Sequence, residues 1–373
     1  MEITVKLVRN RRDLRKFVRF QYDHYKGNPF WCPPLRMDEM RTLQQKTNPA
    51  FEFCEAACWM AFRGTEMIGR IAGIINHKAN KRWNEQLVRF GWIEFIDDPE
   101  VSSLLIRTVN EWGKSKGMNG IHGPLGFSDM DHEGMLLEGF DKPGTLSSIY
   151  NYAYYQEHME RLGFVRAADW VQFEFDIPPI PEKIERANQL VAERYGLRIL
   201  EVKKARELLP YARKMFNMLN VAYDNLYGYS SLSERQMDAY TKQYFGFIRP
   251  EFVSLVVDHQ DDIVGFGISM PSLTKALQRC KGKLFPFGFL HILKAIRKND
   301  IIDLYLFGVH PKYQGKGVTA LFFYHLHKAY LAHGMKKAIS SPQLEDNTKS
   351  LTMWKSFPHR QIMRRRVWIR HDL

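Results

Sequence analysis

Six consecutive residues, Gln314-Gly315-Lys316-Gly317-Val318-Thr319, are suited by type and order to hold an anion. The apolar run Ile301 to Val309 ahead of them predicts a buried strand. The apolar-periodic run from Val318 predicts a helix. A glycine turn thus falls at a helix N-terminus, where unpaired backbone N–H groups and the helix dipole favour negative charge. Glycine lets a ligand approach the backbone without meeting a Cβ. Lys316 adds a positive charge. Phosphate or pyrophosphate is the expected guest. The stretch has neither the Gly-x-x-x-x-Gly-Lys-Ser/Thr spacing of a P-loop nor the three-glycine dinucleotide fingerprint. His310, at the strand's end, belongs to the residue type that titrates near neutrality.

The rest of the chain must position that loop. Ile3 to Val8 alternates like a strand, and Arg11 to Tyr25 is an amphipathic helix broken by Asn28 to Pro34. A second helix is expected over Leu35 to Gln45. Strands follow at Ala56 to Arg63, Met67 to Asn76 and Val88 to Ile96. Then come a helix from Glu100 to Lys116, a short strand from Asn119 to His122, and a glycine-containing loop from Gly123 to Gly144. Ile149 to Leu162 predicts helix and Ala167 to Phe175 strand. A proline-rich linker, Asp176 to Pro181, and a helix from Glu182 to Tyr195 precede a repeat of the same order. Its parts are strand Leu197 to Val202, helices Arg206 to Tyr223 and Ser233 to Tyr244, and strands Phe252 to Asp258 and Ile263 to Met270. After the strand and helix around the loop come strand Lys337 to Ser341, helix Asn347 to Phe357 and closing strand Gln361 to Arg370. The repeat is one of architecture, with little residue-level self-similarity.

The chain has 373 residues, enough for two domains. Hydrophobic residues make up 45% and charged residues 25%, an ordinary globular composition. Cys32, Cys54, Cys58 and Cys280 have no paired metal spacing, which fits a reduced cytoplasmic protein without a metal site. No secretory signal and no apolar stretch of membrane-spanning length is seen. The net charge of +13 suits an anionic partner. Zinc-finger and aromatic RNA-binding motifs are absent, and Arg364-Arg365-Arg366 is read as a solvated strand face, so nucleic acid is not the expected partner.

Gln314 to Thr319 resembles the acyl-CoA pyrophosphate loop of the GNAT acyltransferases, Gln/Arg-x-x-Gly-x-Gly/Ala, with Thr319 at the last position. Val309-His310-Pro311 fits the same family, and Met159 to Phe164 is similar to its Tyr-x-x-x-Gly-Phe helix ending. The resemblance implies an α/β (α+β mixed sheet) protein of two tandem GNAT-like acyl-CoA N-acyltransferase domains. They would be a degenerate one at 1–176, a linker and helix at 177–196, and a CoA-binding one at 197–373. In the first half Asp97-Asp98-Pro99-Glu100 stands where the loop would be, and like charge repels phosphate. Gly123 to Ser128, Glu138 to Asp141 and Tyr150-Asn151 resemble bacterial GNAT-like proteins that include the bacterial ceramide synthases.

The resemblance also assigns roles. The pantetheine arm would lie along the backbone of Phe307 and Val309, with the pyrophosphate on Gln314, Gly315, Lys316, Gly317, Val318 and Thr319 and the CoA arm touching Asn347. Trp354 stands where the family commonly has a tyrosine acid, and an indole N–H cannot take that role. Candidates for the base are His310, Asp303, Glu345 and the loop Asp129 to Glu133. Tyr223, Tyr227 and Tyr229 would line the acceptor pocket.

The implied activity is transfer of an acyl group from a thioester to a primary amine, with a long-chain, sphingoid-like amine as favoured acceptor. N-acetylation of a small soluble amine and non-catalytic acyl-CoA binding are the alternatives. Acyl-CoA or acetyl-CoA would be a co-substrate, with no permanently bound cofactor. Internal duplication is consistent with a monomer. Thr274 to Lys298 carries Phe285, Phe289, Ile292, Leu293 and Ile296 on one predicted helical face, and Lys283, His291, Lys294 and Lys298 largely opposite. Such a segment, Lys283–Lys298 above all, suits either peripheral contact with an anionic membrane or packing of its apolar face on the protein core.

Overall fold

The computed structural model describes residues 2–352, 354 and 357–372. In chain order the first elements are β1 (Ile3–Leu7), α1 (Arg11–His24), α2 (Arg36–Thr42), β2 (Cys54–Arg63), β3 (Glu66–Asn76), α3 (His77–Trp83), β4 (Leu87–Phe95), α4 (Pro99–Ser115), β5 (Gly120–Gly123), β6 (Met135–Glu138) and α5 (Tyr154–Arg161). Then follow β7 (Val165–Asp176), α6 (Glu182–Tyr195), β8 (Arg198–Ile199), α7 (Leu209–Tyr223), α8 (Glu234–Tyr244), β9 (Val253–Val257), β10 (Ile263–Pro271), α9 (Thr274–Cys280) and α10 (Gly288–Arg297). The last are β11 (Ile301–Val309), α11 (Val318–Ala332), β12 (Lys337–Ser340), β13 (Gln343–Leu344), α12 (Thr348–Thr352) and β14 (His359–Arg370).

Two compact units result. One takes the chain up to Val171, Thr274–His291 and the chain from Ile362; the other takes Gln172–Leu273 and Ile292–Gln361. In the first unit the sheet order is β1-β2-β3-β4-β5-β14, with β6 on β14. β4 and β5 are parallel, and their pairing runs only from Leu87↔Gly120 to Arg89↔His122. Beyond that the strands part. β4 then carries a bulge: Arg70 faces Glu94 and Ala72 faces Gly91, so Trp92 and Ile93 together oppose Ile71. Trp92 takes a φ of 45°, rare for a side chain of its size. The apolar face of α4, with Val101, Leu105, Ile106 and Val109, closes the core beside Ile71, Ile75, Val88 and Phe90.

The second unit repeats the plan. Its sheet order is β7-β12-β11-β10-β9-β8. β11 and β12 are parallel from Ile301↔Lys337 to Leu304↔Ser340, then part. The β11 bulge lies at Tyr305, because Ser269 faces Leu304 and Ile268 faces Leu306. α11 buries Val318, Leu321, Phe322 and Leu326 against Ile302, Leu304, Val256 and Val264.

Several expected elements differ in extent. The helix expected from Ile149 begins only at Tyr154. Asn151 instead bonds the backbone of Leu136 at both ends, accepting from its N–H at 2.6 Å and donating to its carbonyl at 3.1 Å. The strand expected over Leu197 to Val202 shrinks to Arg198–Ile199, since β9 offers it only Val257 and Val256. The helix expected over Asn347 to Phe357 is α12, and residues 353, 355 and 356 of that span lie outside the described residues. Thr274 to Lys298 forms two helices rather than one; Phe285 precedes α10 and Ile292 is buried.

The reading of Arg364 to Arg366 as a solvated face is corrected. Arg365 is 1% exposed. Arg366 holds Asp169 through two hydrogen bonds of 2.8 and 2.9 Å, and Arg364 bonds Asp169 and Glu138. Burial alone would raise the Asp169 carboxyl, but Arg366, Arg166 and Arg364 hold it below its ordinary range.

Candidate functional site

The strand β11 organises the site of the second unit. Ile302 and Leu304 pack with α11, so by alternation Asp303 faces the other side of the sheet. The bulge at Tyr305 resets that alternation. Phe307, three residues after Leu304, therefore faces α11 too, its ring 5.6 Å from that of Phe323. Gly308 faces the α7 side, where a Cβ would lie 3.5 Å from the Met218 methyl.

Asp303 is 3% exposed, one residue before the point where β11 and β12 separate. Neither carboxyl oxygen has a well-formed hydrogen bond among the described residues. Burial pushes the carboxyl up to about 7, against partial relief from the Ser272 hydroxyl. That is the range in which a general base at neutral pH is most effective.

The loop after β11 forms as its glycines require. Gly315 and Gly317 take φ of 73° and 81°, the left-handed region. Gly317 is the N-cap of α11, and a Cβ there would meet Val191 of α6 at 2.8 Å. Around Gly315 a Cβ would meet nothing within 4 Å, so that side is open. The N–H groups of Val318 and Thr319 belong to the first turn of α11, where a helix has no internal acceptors for them. Lys316 Nζ lies 5.7 Å from the ring centres of both Tyr195 and Tyr313. This geometry fits an anionic group: open backbone donors, a helix N-terminus and a lysine held beside them.

The other predicted residues divide. Tyr223, at the end of α7, donates to the Phe307 carbonyl at 3.1 Å, and Gln314 Nε2 donates to the Val309 carbonyl at 3.3 Å. The carbonyls of the two residues expected along a pantetheine arm thus already carry one side-chain donor each. Tyr229 is 2% exposed and donates to Asn220 at 2.6 Å, a packing role; Tyr227 is half-buried nearby in sequence. His310 uses Nδ1 to accept from the Lys312 N–H at 3.3 Å, so its ring closes the turn. Asn347 stands immediately before α12 and its carbonyl accepts from Leu351. Glu345 is half-buried after β13. Trp354 is a wall: it is 2% exposed, packs on Phe307, Phe323 and Phe175, and donates its indole N–H to Gln343 at 2.9 Å.

Asp129 to Glu133 is built into the first unit. Asp131 accepts from the N–H groups of Phe127 and Ser128, at 2.8 and 3.2 Å. Burial raises Asp131 to about 6, and burial with the Asp129 charge raises Glu133 well above its usual range. Between β4 and α4 of the first unit stands Asp97-Asp98, where the second unit has its glycine loop between β11 and α11. At the start of α4 the Asp98 carboxylate accepts from the Glu100 N–H at 2.9 Å and pairs with Arg63.

Three parts of the second-unit site were not read from sequence: the Tyr305 bulge, the Ser272 hydroxyl and α6 against the loop. The apolar spacing of Ile184 and Val191 on α6 was the available signal for the last. Among the described residues no cluster of histidine, cysteine or acidic side chains could hold a metal, and no disulfide forms.

Each unit thus has a parallel strand pair that forks, a bulged strand at the fork and a helix starting just beyond it. Solved structures share this fold over the whole chain. A tandem GNAT protein from the clavulanic acid biosynthesis pathway aligns over 99% of this chain and 98% of its own, with a TM-score of 0.58 at 10% identity. A GCN5-related N-acetyltransferase from Sphaerobacter thermophilus aligns over 100% and 96%, with a TM-score of 0.54 at 10% identity. The fold is that of a tandem GNAT protein. At such identities the likeness establishes the GNAT fold and leaves the reaction to be argued from the site. Among curated proteins, Protein YghO of Escherichia coli is 26% identical over 310 residues, covering 82% of this chain and 78% of its own. A bacterial ceramide synthase of Caulobacter vibrioides is 25% identical over 320 residues, covering 84% and 82%. No protein-family model matches the chain.

Proposed function

We propose that the chain is an acyl-CoA-dependent N-acyltransferase whose donor site is the Gln314 to Thr319 loop and whose general base is Asp303. The observation that carries this reading is a buried carboxyl at the strand fork, on the same strand that leads into an open anion loop. The layout would keep residues 1–176 as a unit without a donor loop and 197–373 as the donor-binding one, joined by 177–196. Phosphates would rest on the first N–H groups of α11 with Lys316 beside them. Asn347 and the Phe307–Val309 backbone would guide the pantetheine arm. Asp303 takes the proton from the acceptor ammonium, directly or through a water. The amine nitrogen then forms its bond to the thioester carbonyl carbon, the carbon–sulfur bond breaks, and the second proton shed by the nitrogen passes, directly or through water, to the departing thiolate, so that CoA is released as the thiol. A thiol pKa near 8.5 makes that departure feasible without an acid at the Trp354 position.

The proposed acceptor is a long-chain amine. The name of the Caulobacter relative and the segment Lys283–Lys298 support it. Phe285 and Phe287 are 70% and 71% exposed, and Phe289, Leu290 and Leu293 are exposed beside them. Exposed Lys281, Lys283, Lys294, Arg297 and Lys298 accompany these side chains in the sequence. Apolar rings with basic neighbours suit insertion at an anionic bilayer surface. Among the described residues no helix is long and apolar enough to cross a membrane, so contact would be peripheral. The double variant Phe285→Ser, Phe287→Ser should lose on the order of tenfold or more in binding to vesicles rich in phosphatidylglycerol, measured by flotation. Equal binding by the variant would remove this segment from the membrane reading.

Thiol release on mixing purified protein with acyl-CoAs of graded length and candidate amines tests the reaction. Amine-dependent release is expected, strongest with long-chain amines. Tight CoA binding without release on any amine would leave only a binding module.

A further inference from the structure

The first unit has Asp97-Asp98 in place of the glycine loop but keeps a cavity at its strand fork. Its volume, open mouth included, is about 660 Å³. Trp31, Glu39, Arg70, Trp92, Glu94 and Tyr150 are among the residues that line it. Three of these are acidic or basic side chains withdrawn from water: Arg70 is 1% exposed, Glu94 7% and Glu39 8%. Arg70 is committed, its Nε to Glu94 Oε2 and an Nη to the Phe17 carbonyl at 2.9 Å. Glu39 makes no such hydrogen-bonded ion pair among the described residues, although the Arg70 charge also acts on it. Its Oε2 accepts from Gln21 Nε2 at 2.9 Å and from the Trp92 indole at 3.0 Å, both neutral donors.

Two carboxylates and one guanidinium stand among these walls, beside the His132 ring, a lining that favours a cationic guest over an anionic one. Both carboxylates accept from protein donors through Oε2. The remaining walls include the aromatic rings of Trp31, Trp92, Tyr150 and Tyr155. Aromatic faces attract organic cations, and more strongly when water is excluded. The Trp92 bulge contributes directly, because the unusual backbone at φ 45° belongs to the residue whose indole meets Glu39. A bare metal ion would need a cluster of three or more His, Cys, Asp or Glu ligands, and none occurs among the described residues.

We infer that this cavity binds a small organic ammonium group, with Glu39 as its counter-charge. The first unit is then a binding unit in its own right, which holds whether or not the second unit transfers acyl groups. The test uses the full chain and three probes: ethanolamine hydrochloride, neutral N-acetylethanolamine and potassium chloride at matched ionic strength. Tryptophan fluorescence and the indole N–H resonance of Trp92 report occupancy. Ethanolamine should give a saturable response, with the other two at least tenfold weaker. Glu39→Gln, which keeps shape and hydrogen-bond acceptance while removing charge, should weaken ethanolamine at least tenfold with an unchanged melting profile. Ethanolamine indistinguishable from potassium chloride overturns the inference. So does N-acetylethanolamine binding as well as the amine, or unchanged affinity in a folded Glu39→Gln protein. Should that variant not fold, the three-probe comparison on the unaltered chain decides alone.

Discussion

Asp303→Asn is expected to lower kcat by about 10²- to 10⁴-fold, the usual contribution of a general base, while making the protein more stable above pH 7. The two effects share one cause. The carboxyl is buried and its pKa is raised to about 7, whereas an unfolded aspartate titrates near 3.9. Between roughly pH 4 and 7 the folded state therefore binds more protons than the unfolded state, and stability falls as pH rises. Above pH 7 the whole cost is present, on the order of a few kcal/mol from that difference in pKa. Asparagine cannot ionise and escapes it. Chemical denaturation from pH 4 to 8.5 should show native and variant proteins converging at the acid end and the variant pulling ahead towards neutrality. The rate with an acyl-CoA and an amine should rise through about pH 7 in the native protein. A variant that retains full kcat would move the base elsewhere, with His310 next, since only its Nδ1 is occupied. A variant with lower kcat but no pH-dependent gain in stability would mean that Asp303 matters for shape and not for its proton.

The site was legible in sequence where its chemistry is local. Gly315 and Gly317 announce a left-handed turn because few other residues adopt it, and the periodicity from Val318 announces the helix behind them. Both facts concern neighbours in the chain. Asp303 could be placed on a strand, but its raised pKa arises from burial, and the Ser272 hydroxyl that partly opposes it lies more than thirty positions away in sequence. The same division runs through the fold. Asn10 caps α1 by accepting from Arg12 and Asp13, and that helix start lies where the sequence places it. Asn151 behaves differently because its partner, Leu136, is a strand residue inside what looked like a long loop. The basic run misled for a related reason. Arg365 has the composition of a solvated surface, yet it is buried and donates to the Ile149 carbonyl at 3.2 Å. Charge tells where a residue prefers to be; only the partner tells whether the fold can hold it elsewhere.

Thr319→Glu separates stability from donor affinity at the anion loop. Residue 319 lies in the first turn of α11, where an added carboxylate interacts favourably with the helix dipole by about 0.3–1 kcal/mol. The melting temperature should therefore hold or rise slightly. The same carboxylate would stand near the proposed pyrophosphate. At about 5 Å and an effective dielectric near 20, each pair of like charges costs about 3 kcal/mol. CoA affinity should fall by about 10²-fold or more, read by calorimetry. Lys316→Ala should cost less, several-fold, because that ammonium is shared with the Tyr195 and Tyr313 rings and is exposed. Gly317→Glu is a poorer probe, since a Cβ at that position already meets Val191 and the φ of 81° strains any side chain. The decisive comparison is between ligands. Dephospho-CoA and CoA keep the pyrophosphate, and both should weaken alike in Thr319→Glu. Pantetheine carries no phosphate and should bind native and variant protein equally. A variant that binds CoA as the native protein does would move the donor away from this helix. Equal loss for pantetheine would show that the substitution had disturbed the strand fork rather than the anion site.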